Sequence, residues 1–277
     1  MVIKIRKDSA LKKQLRRLEI ALVIDNTGSM SGEIAQVRQR MSELLDRIVA
    51  HELKIESRFA VIGYRDHPPQ DSSFVAHTFC GLEADSFVVH DALKRMKAGG
   101  GGDGPEAVVD GLQQALALGW ERASQKAIIL VGDSPPHGEG ATGDAFASGC
   151  PCKLNIDFIA KQMPTIPITG HAVGVRSDSV MIRVFTRFAK TASGIFIPLN
   201  RVTDLIPLLL RHIDEEIGKI VSDLRTIEKL ERGDTISAED AESLRRLEKK
   251  GVRPIELSPG ASAEGEGVKK TRIRILS

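Results

Sequence analysis

The segment Leu22-Val23-Ile24-Asp25-Asn26-Thr27-Gly28-Ser29-Met30 is an apolar run that ends abruptly on a carboxylate and two hydroxyls. Ile20, Ala21, Leu22, Val23 and Ile24 show no apolar–polar alternation, the pattern of a strand buried on both faces within a parallel sheet. Side chains at the carboxyl end of such a strand face the crevice in which open α/β sheets bind ligands. Asp25, Thr27 and Ser29 thus bring three oxygen donors to one sheet edge. Hard oxygen donors suit a hard divalent cation, Mg²⁺ first, with Mn²⁺ or Ca²⁺ as alternatives.

Lys126 to Asp133 repeats the pattern, an apolar run ending on a carboxylate. Further strands are expected at Ile55–Tyr64, Val75–Phe79, Ile168–Val175 and Ile195–Leu199. Helical spacing marks Ser31–His51, Asp85–Lys97, Asn155–Met163 and Ser179–Thr191. Pro105 suits the first turn of another helix, running to about Trp120. This alternation predicts a doubly wound, mostly parallel α/β sheet, with Val75–Phe79 as one antiparallel edge strand.

Around it, a polar helix is expected at Asp8–Glu19, within an N-terminal arm at 1–18, and the main α/β domain at 19–212. Ile213, Ile217, Ile220, Leu224 and Ile227 form a heptad-like seam in a helical hairpin at 213–250, broken at Gly233-Asp234 and restarted by a capping box at Ser237. The remainder, 251–277, reads as a flexible tail whose Thr271–Leu276 alternates like a short strand able to pair with a sheet edge.

The chain of 277 residues is 42% hydrophobic and 27% charged, enough apolar content to build a full core. A net charge of +2 gives no reason to expect nucleic acid or an anionic membrane as partner. The early basic residues, Lys4 to Arg17, read as a solvated helix face. No apolar stretch approaches a membrane span and the N-terminus has no signal-peptide core, so the expected setting is cytoplasmic, with reduced cysteines.

Asp25-x-Thr27-x-Ser29 with Asp133 after the fourth main strand resembles the metal-ion-dependent adhesion site of von Willebrand factor A domains. The resemblance implies that Thr27 and Ser29 bind the ion directly, that Asp25 acts largely through water, and that Asp133 completes the set. The loop Gly99–Glu106 lacks the family's usual threonine. Its Asp103-Gly104-Pro105-Glu106 instead resembles the Asp-x-Pro-Glu of integrin β subunits, which implies Glu106 as a ligand and Asp103 as a supporting group or a ligand of a second ion. The plainer reading is that both acids favour a helix N-terminus. Tyr64-Arg65-Asp66-His67 is similar to a segment of the family's kinase-linked branch. There Asp66 orients the site by hydrogen bonds, or simply stabilises a turn with Pro68.

His67, His137, Cys150 and Cys152 are expected at the rim. Cys150-Pro151-Cys152 with His137 offers soft ligands for Zn²⁺, but a fourth ligand is missing and Cys-x-Cys is tighter than the usual spacing, so reduced thiols are preferred. The glycine run Gly99–Gly104 lacks Gly-Lys-Ser/Thr and is no P-loop. Arg232-Gly233-Asp234 reads as turn chemistry rather than an adhesion tripeptide.

These readings imply a non-enzymatic adaptor whose metal is completed by a partner's Asp or Glu, of the kind that intracellular family members provide beside ATPases, kinases or proteases. The alternative is a scaffold that oligomerises through the Ile213–Ile227 seam and keeps its metal for structure. A metal-dependent hydrolase using His137 or His67 as base ranks below both, because no nucleophile and base are visibly poised.

Overall fold

Strand β1 (Arg17–Asp25) is buried continuously from Leu18 to Asp25, as an unalternating apolar run requires. The computed structural model describes residues 9–51, 55–198, 205–232, 234–257 and 270–275. Two compact units divide the chain: a sheet unit of Leu18–Trp120 with Lys126–Ile213, and a second unit of the residues up to Arg17, Glu121–Gln125 and those from Asp214 onward.

In the sheet unit, β2 (Glu56–Tyr64), β3 (Ala76–Glu83), β4 (Gln125–Gly132), β5 (Ile168–Gly174) and β6 (Ser193–Pro198) join β1 in the order β3-β2-β1-β4-β5-β6. The sheet is mostly parallel. Ile129 of β4 lies opposite His171 of β5, whereas β3 runs antiparallel to β2 with Ala76 opposite Tyr64. Strand order reverses between β1 and β4, so the crevice at their carboxyl ends is the switch point at which such sheets bind ligands. No helix among the described residues is long and apolar enough to cross a membrane.

Helices cover the sheet where apolar spacing predicts. After a tight 3₁₀ turn at Gly28–Gly32, α2 (Ile34–Val49) buries Ile34, Val37, Met41, Leu44, Leu45 and Ile48. Asp85 caps α3 (Ser86–Arg95) by accepting from the Phe87 N–H. On the other side α4 (Val108–Leu116), α5 (Ile156–Gln162) and α6 (Ser179–Thr191) share a core with Val23, Ile62, Tyr64, Ile128 and Leu130. Gly111 is required in α4, since a Cβ there would lie 2.9 Å from the Val23 side chain.

Two boundaries differ from expectation. Helix α1 spans only Ser9–Leu15, and Glu19 lies in β1, fully buried. A carboxylate is tolerated there because Arg58 of β2 donates Nε to it at 2.7 Å. Pro105 does not open α4, which starts at Val108. Glu106 instead pairs its backbone with the loop after β4, donating its N–H to the Pro135 carbonyl at 2.9 Å.

In the second unit, the later part of α7 (Leu205–Arg232) packs beside α8 (Ala238–Lys249), with Ser222 and Ser243 hydroxyls 2.7 Å apart. The Ser237–Asp240 capping box forms as its spacing predicts. Strand β8 (Lys270–Ile275) pairs antiparallel with β7 (Val252–Leu257) rather than with the large sheet. Of the seam, Ile213, Ile217, Ile220 and Ile227 are buried in the single chain, and Ile227 and Leu224 pack with Leu15, Ala123, Leu247 and Val252. Among the described residues, the exposed large apolar side chains are Val49, Phe87, Val88, Phe158 and Ile166, none of them on α7.

Candidate metal centre

At the end of β1 the chain turns sharply, and Asp25 organises the turn. Its Oδ1 accepts from the Thr27 N–H at 2.9 Å and from the Thr27 hydroxyl at 2.6 Å. The Thr27 and Ser29 hydroxyl oxygens lie 2.9 Å apart, and Ser29 Oγ donates to Asp133 Oδ1 at 3.0 Å. Four of the residues singled out from the sequence therefore form one contiguous polar cluster. Gly28 N–H donates to the Gly100 carbonyl at 2.9 Å, drawing the glycine loop onto the same turn. Gly101 has φ +76°, and a Cβ there would lie 2.9 Å from Glu106 Oε1 and 3.3 Å from Thr27 Cβ. The glycine thus lets backbone slip beside Glu106 and Thr27.

Glu106 reaches this position through its non-helical backbone. Its own N–H is held by Pro135 and the next N–H, of Ala107, donates to the Arg65 carbonyl at 2.8 Å. The resulting gathering of carboxylates is poorly compensated. Asp25 Oδ2, Glu106 Oε2 and Asp133 Oδ2 are buried without a hydrogen-bond donor. Burial, then the neighbouring Asp133, pushes the Asp25 carboxyl up to about 7. Burial with Asp25, Asp66, Asp133 and Asp103 around it pushes Glu106 up to about 11. The same burial and carboxylates hold the Tyr64 phenol well above its ordinary value.

Arg176 brings a cation to the rim. Arg176, following β5, places Nη1 3.4 Å from Asp133 Oδ2 and donates Nη2 to the Ser29 carbonyl at 2.6 Å. Its side chain is 48% exposed, so it is a rim group rather than a filled counter-ion. Buried carboxylate oxygens without donors, with two hydroxyls beside them, form an oxygen-only donor set that fits a hard divalent cation.

Asp66 and Asp103 lie in a neighbouring group with His137, their ligand atoms within 4.8 Å of one another. Asp66 Oδ1 faces His137 Nε2 at 2.7 Å, while His137 Nδ1 faces Asp144 at 2.9 Å. Burial acts to lower His137, but Asp66 and Asp144 outweigh it and raise its basicity. Asp103 is raised by burial and by Asp66, and accepts from the Ala145 N–H at 2.6 Å. The grouping of His137 with the two cysteines, which the sequence already disfavours, does not form, because both its ring nitrogens are engaged by carboxylates. His67 takes that place, with Nε2 3.1 Å from Cys150 Sγ and 3.0 Å from Asp110 Oδ2.

Arg176, Asp110 and Asp144 were not legible as site residues. Arg176 follows the carboxyl end of a strand, the position at which ligand-binding groups collect, and that rule could have found it. Asp110 carries no such signal, since its partners His67 and Cys150 come from remote segments, and Asp144, though only seven residues from His137, lies in an irregular loop whose spacing does not reveal the pairing.

The family model for the von Willebrand factor A domain matches residues 19–200. The alpha-protein kinase vwkA of Dictyostelium discoideum is 25% identical over 181 residues, 64% of this chain and 28% of the kinase, so the chain spans little more than a quarter of that relative's length. Among solved structures, a von Willebrand factor type A protein from Catenulispora acidiphila aligns with TM-score 0.51 and 17% identity, over 73% of this chain and 43% of that one. The pilus adhesin SpaC from Lactobacillus rhamnosus GG aligns with TM-score 0.56 and 14% identity, over 79% and 31%. Sheet order and family match agree, and the chain belongs to the von Willebrand factor A domain family.

Proposed function

We propose that this chain is a metal-dependent protein-binding adaptor whose ion is completed by a carboxylate of the partner. The observation that carries the reading is the set of buried oxygens without donors on Asp25, Glu106 and Asp133, beside the hydroxyls of Thr27 and Ser29. Thr27, Ser29 and Glu106 would hold Mg²⁺, with Asp25 and Asp133 neutralising and orienting the site. Mg²⁺ keeps water where a protein leaves positions open, and a partner Asp or Glu can replace one such water. Arg176 at the rim adds a positive charge suited to the same incoming carboxylate. A cytoplasmic setting and a partner belonging to an ATPase, kinase or protease assembly are part of the proposal, and rest on family resemblance.

The test combines calorimetric Mg²⁺ titration of the full chain with partner capture from cell extract, with and without Mg²⁺. Asp25→Ala is expected to abolish both Mg²⁺ binding and Mg²⁺-dependent capture. An unchanged Mg²⁺ titration in that variant would overturn the assignment of the site. Capture indifferent to Mg²⁺ would overturn the adaptor reading.

A further inference from the structure

We infer that His67, Asp110, Cys150 and Cys152 form a structural zinc site, separate from the oxygen-lined centre and holding its rim in place. The four side chains converge from three parts of the sheet unit: the turn after β2, the first turn of α4, and the loop between β4 and α5. Cys150 Sγ lies 3.1 Å from His67 Nε2, 3.2 Å from Asp110 Oδ2 and 2.7 Å from Cys152 Sγ, and His67 Nε2 lies 3.0 Å from Asp110 Oδ2. Two thiols, an imidazole and a carboxylate are the donor types that zinc takes, and four protein ligands close a structural site.

For His67, Asp110 and Cys150, whose ligand atoms all lie within 4.8 Å of one another, the dimensions fit with little movement. Zn–S near 2.3 Å and Zn–N or Zn–O near 2.0 Å imply tetrahedral edges of about 3.3–3.8 Å. The separations of 3.0–3.2 Å among these three, and of 2.7 Å from Cys150 Sγ to Cys152 Sγ, need to open by about 1 Å or less, and Cys152 Sγ must swing in from beside Cys150 to complete the set. The tight Cys-x-Cys spacing, which argues against zinc when the sequence is read alone, is no obstacle here. Pro151 and a turn closed by the Lys153 N–H on the Cys150 carbonyl at 2.9 Å bring both sulfurs to one side. Lys153 adopts φ +63°, a left-handed conformation that a lysine keeps only where the surroundings impose it.

The site would anchor a long loop that carries Pro135, which holds the Glu106 backbone, and His137, which holds Asp66. Its role is therefore to fix the loop from which two groups reach the oxygen-lined centre.

Zinc is first measured in the full chain purified under reducing conditions without chelator. The metal is then removed, and Co²⁺ is added as a spectroscopic stand-in. Stoichiometric zinc is expected, and Co²⁺ should give thiolate-to-metal charge-transfer absorption with tetrahedral visible bands, both displaced by Zn²⁺. Asp25→Ala should leave these bands intact, which separates this site from the oxygen-lined centre. Cys152→Ala should weaken the charge-transfer band and the paired change Cys150→Ala with Cys152→Ala should abolish it, while His67→Gln and Asp110→Asn should each weaken Zn²⁺ by at least about tenfold. A wild-type chain without zinc and without the Co²⁺–thiolate band would overturn the inference, as would a Cys150–Cys152 disulfide under those conditions. A band undiminished by Cys152→Ala, or zinc affinity indifferent to His67→Gln and Asp110→Asn, would overturn the ligand set.

Discussion

Buried carboxylates occur in both units of this protein, and those of the oxygen-lined centre are treated in the opposite way from those of the second unit. In the second unit, Asp223 is fully buried but meets Arg246 Nε at 3.1 Å and Lys250 Nζ at 2.9 Å. Asp240 meets Lys229 at 2.7 Å and closes a capping box, and Glu216 meets Lys219 at 2.6 Å and Gln125. In the sheet unit, Asp25, Glu106 and Asp133 are as deeply buried, yet an oxygen of each has no donor, and the half-exposed Arg176 stands at the rim 3.4 Å from Asp133 Oδ2. A carboxylate buried for stability brings its cation in the chain, whereas one buried for binding leaves its compensation to a ligand.

The sharpest way to break the contrast is to delete one acid from each region. Asp223→Ala leaves the buried Lys250 ammonium without its partner and is expected to destabilise the chain by about 3–5 kcal/mol in denaturant unfolding. Glu106→Gln removes a group that the fold holds against ionisation. It should stabilise the Mg²⁺-free chain at pH 8 by about 1 kcal/mol or more, while weakening Mg²⁺ binding. If both variants lose stability alike, the two regions are not distinguished by compensation.

Much of this arrangement could be read before the structure. The strands ending on Asp25 and Asp133 are legible because burial on both faces leaves unbroken apolar runs, and sheet-end position then assigns their carboxylates a role. The start of α4 is not legible because Pro105 is a sound helix opener, and a remote backbone pairing with the loop at Pro135 keeps Glu106 out of the helix. Glu19 reads as helical for a similar reason, since the Arg58 that makes a strand glutamate tolerable comes from another strand. His67 and His137 are interchangeable in the sequence as partners for Cys150. Which one pairs with it depends on Asp144 and Asp66 engaging both nitrogens of His137. The α7 seam shows the same limit, for its periodicity is plain, but Leu15, Ala123, Leu247 and Val252 come to it from scattered segments.

The two regions should also respond oppositely to pH. Asp240 is held well below the usual carboxylate range by the Lys229 ammonium, so its contribution is present at neutral pH and lost only in acid. Asp25 is raised from 3.8 to about 7, so the stability tied to its protonated form is present below about pH 4 and lost as pH rises through 7. His137, also raised, loses its charge as pH rises and adds to the same slope, so the Mg²⁺ response rather than the slope alone identifies the carboxylates. The most direct measurement is therefore thermal unfolding of the full chain, dialysed free of Mg²⁺, at pH 5 and pH 8, before and after Mg²⁺ is restored. The expected result is a Tm that falls from pH 5 to pH 8 without Mg²⁺, with Mg²⁺ raising it strongly at pH 8 and little at pH 5. A Tm that Mg²⁺ leaves unchanged at pH 8 would contradict the claim that these carboxylates are gathered to hold an ion.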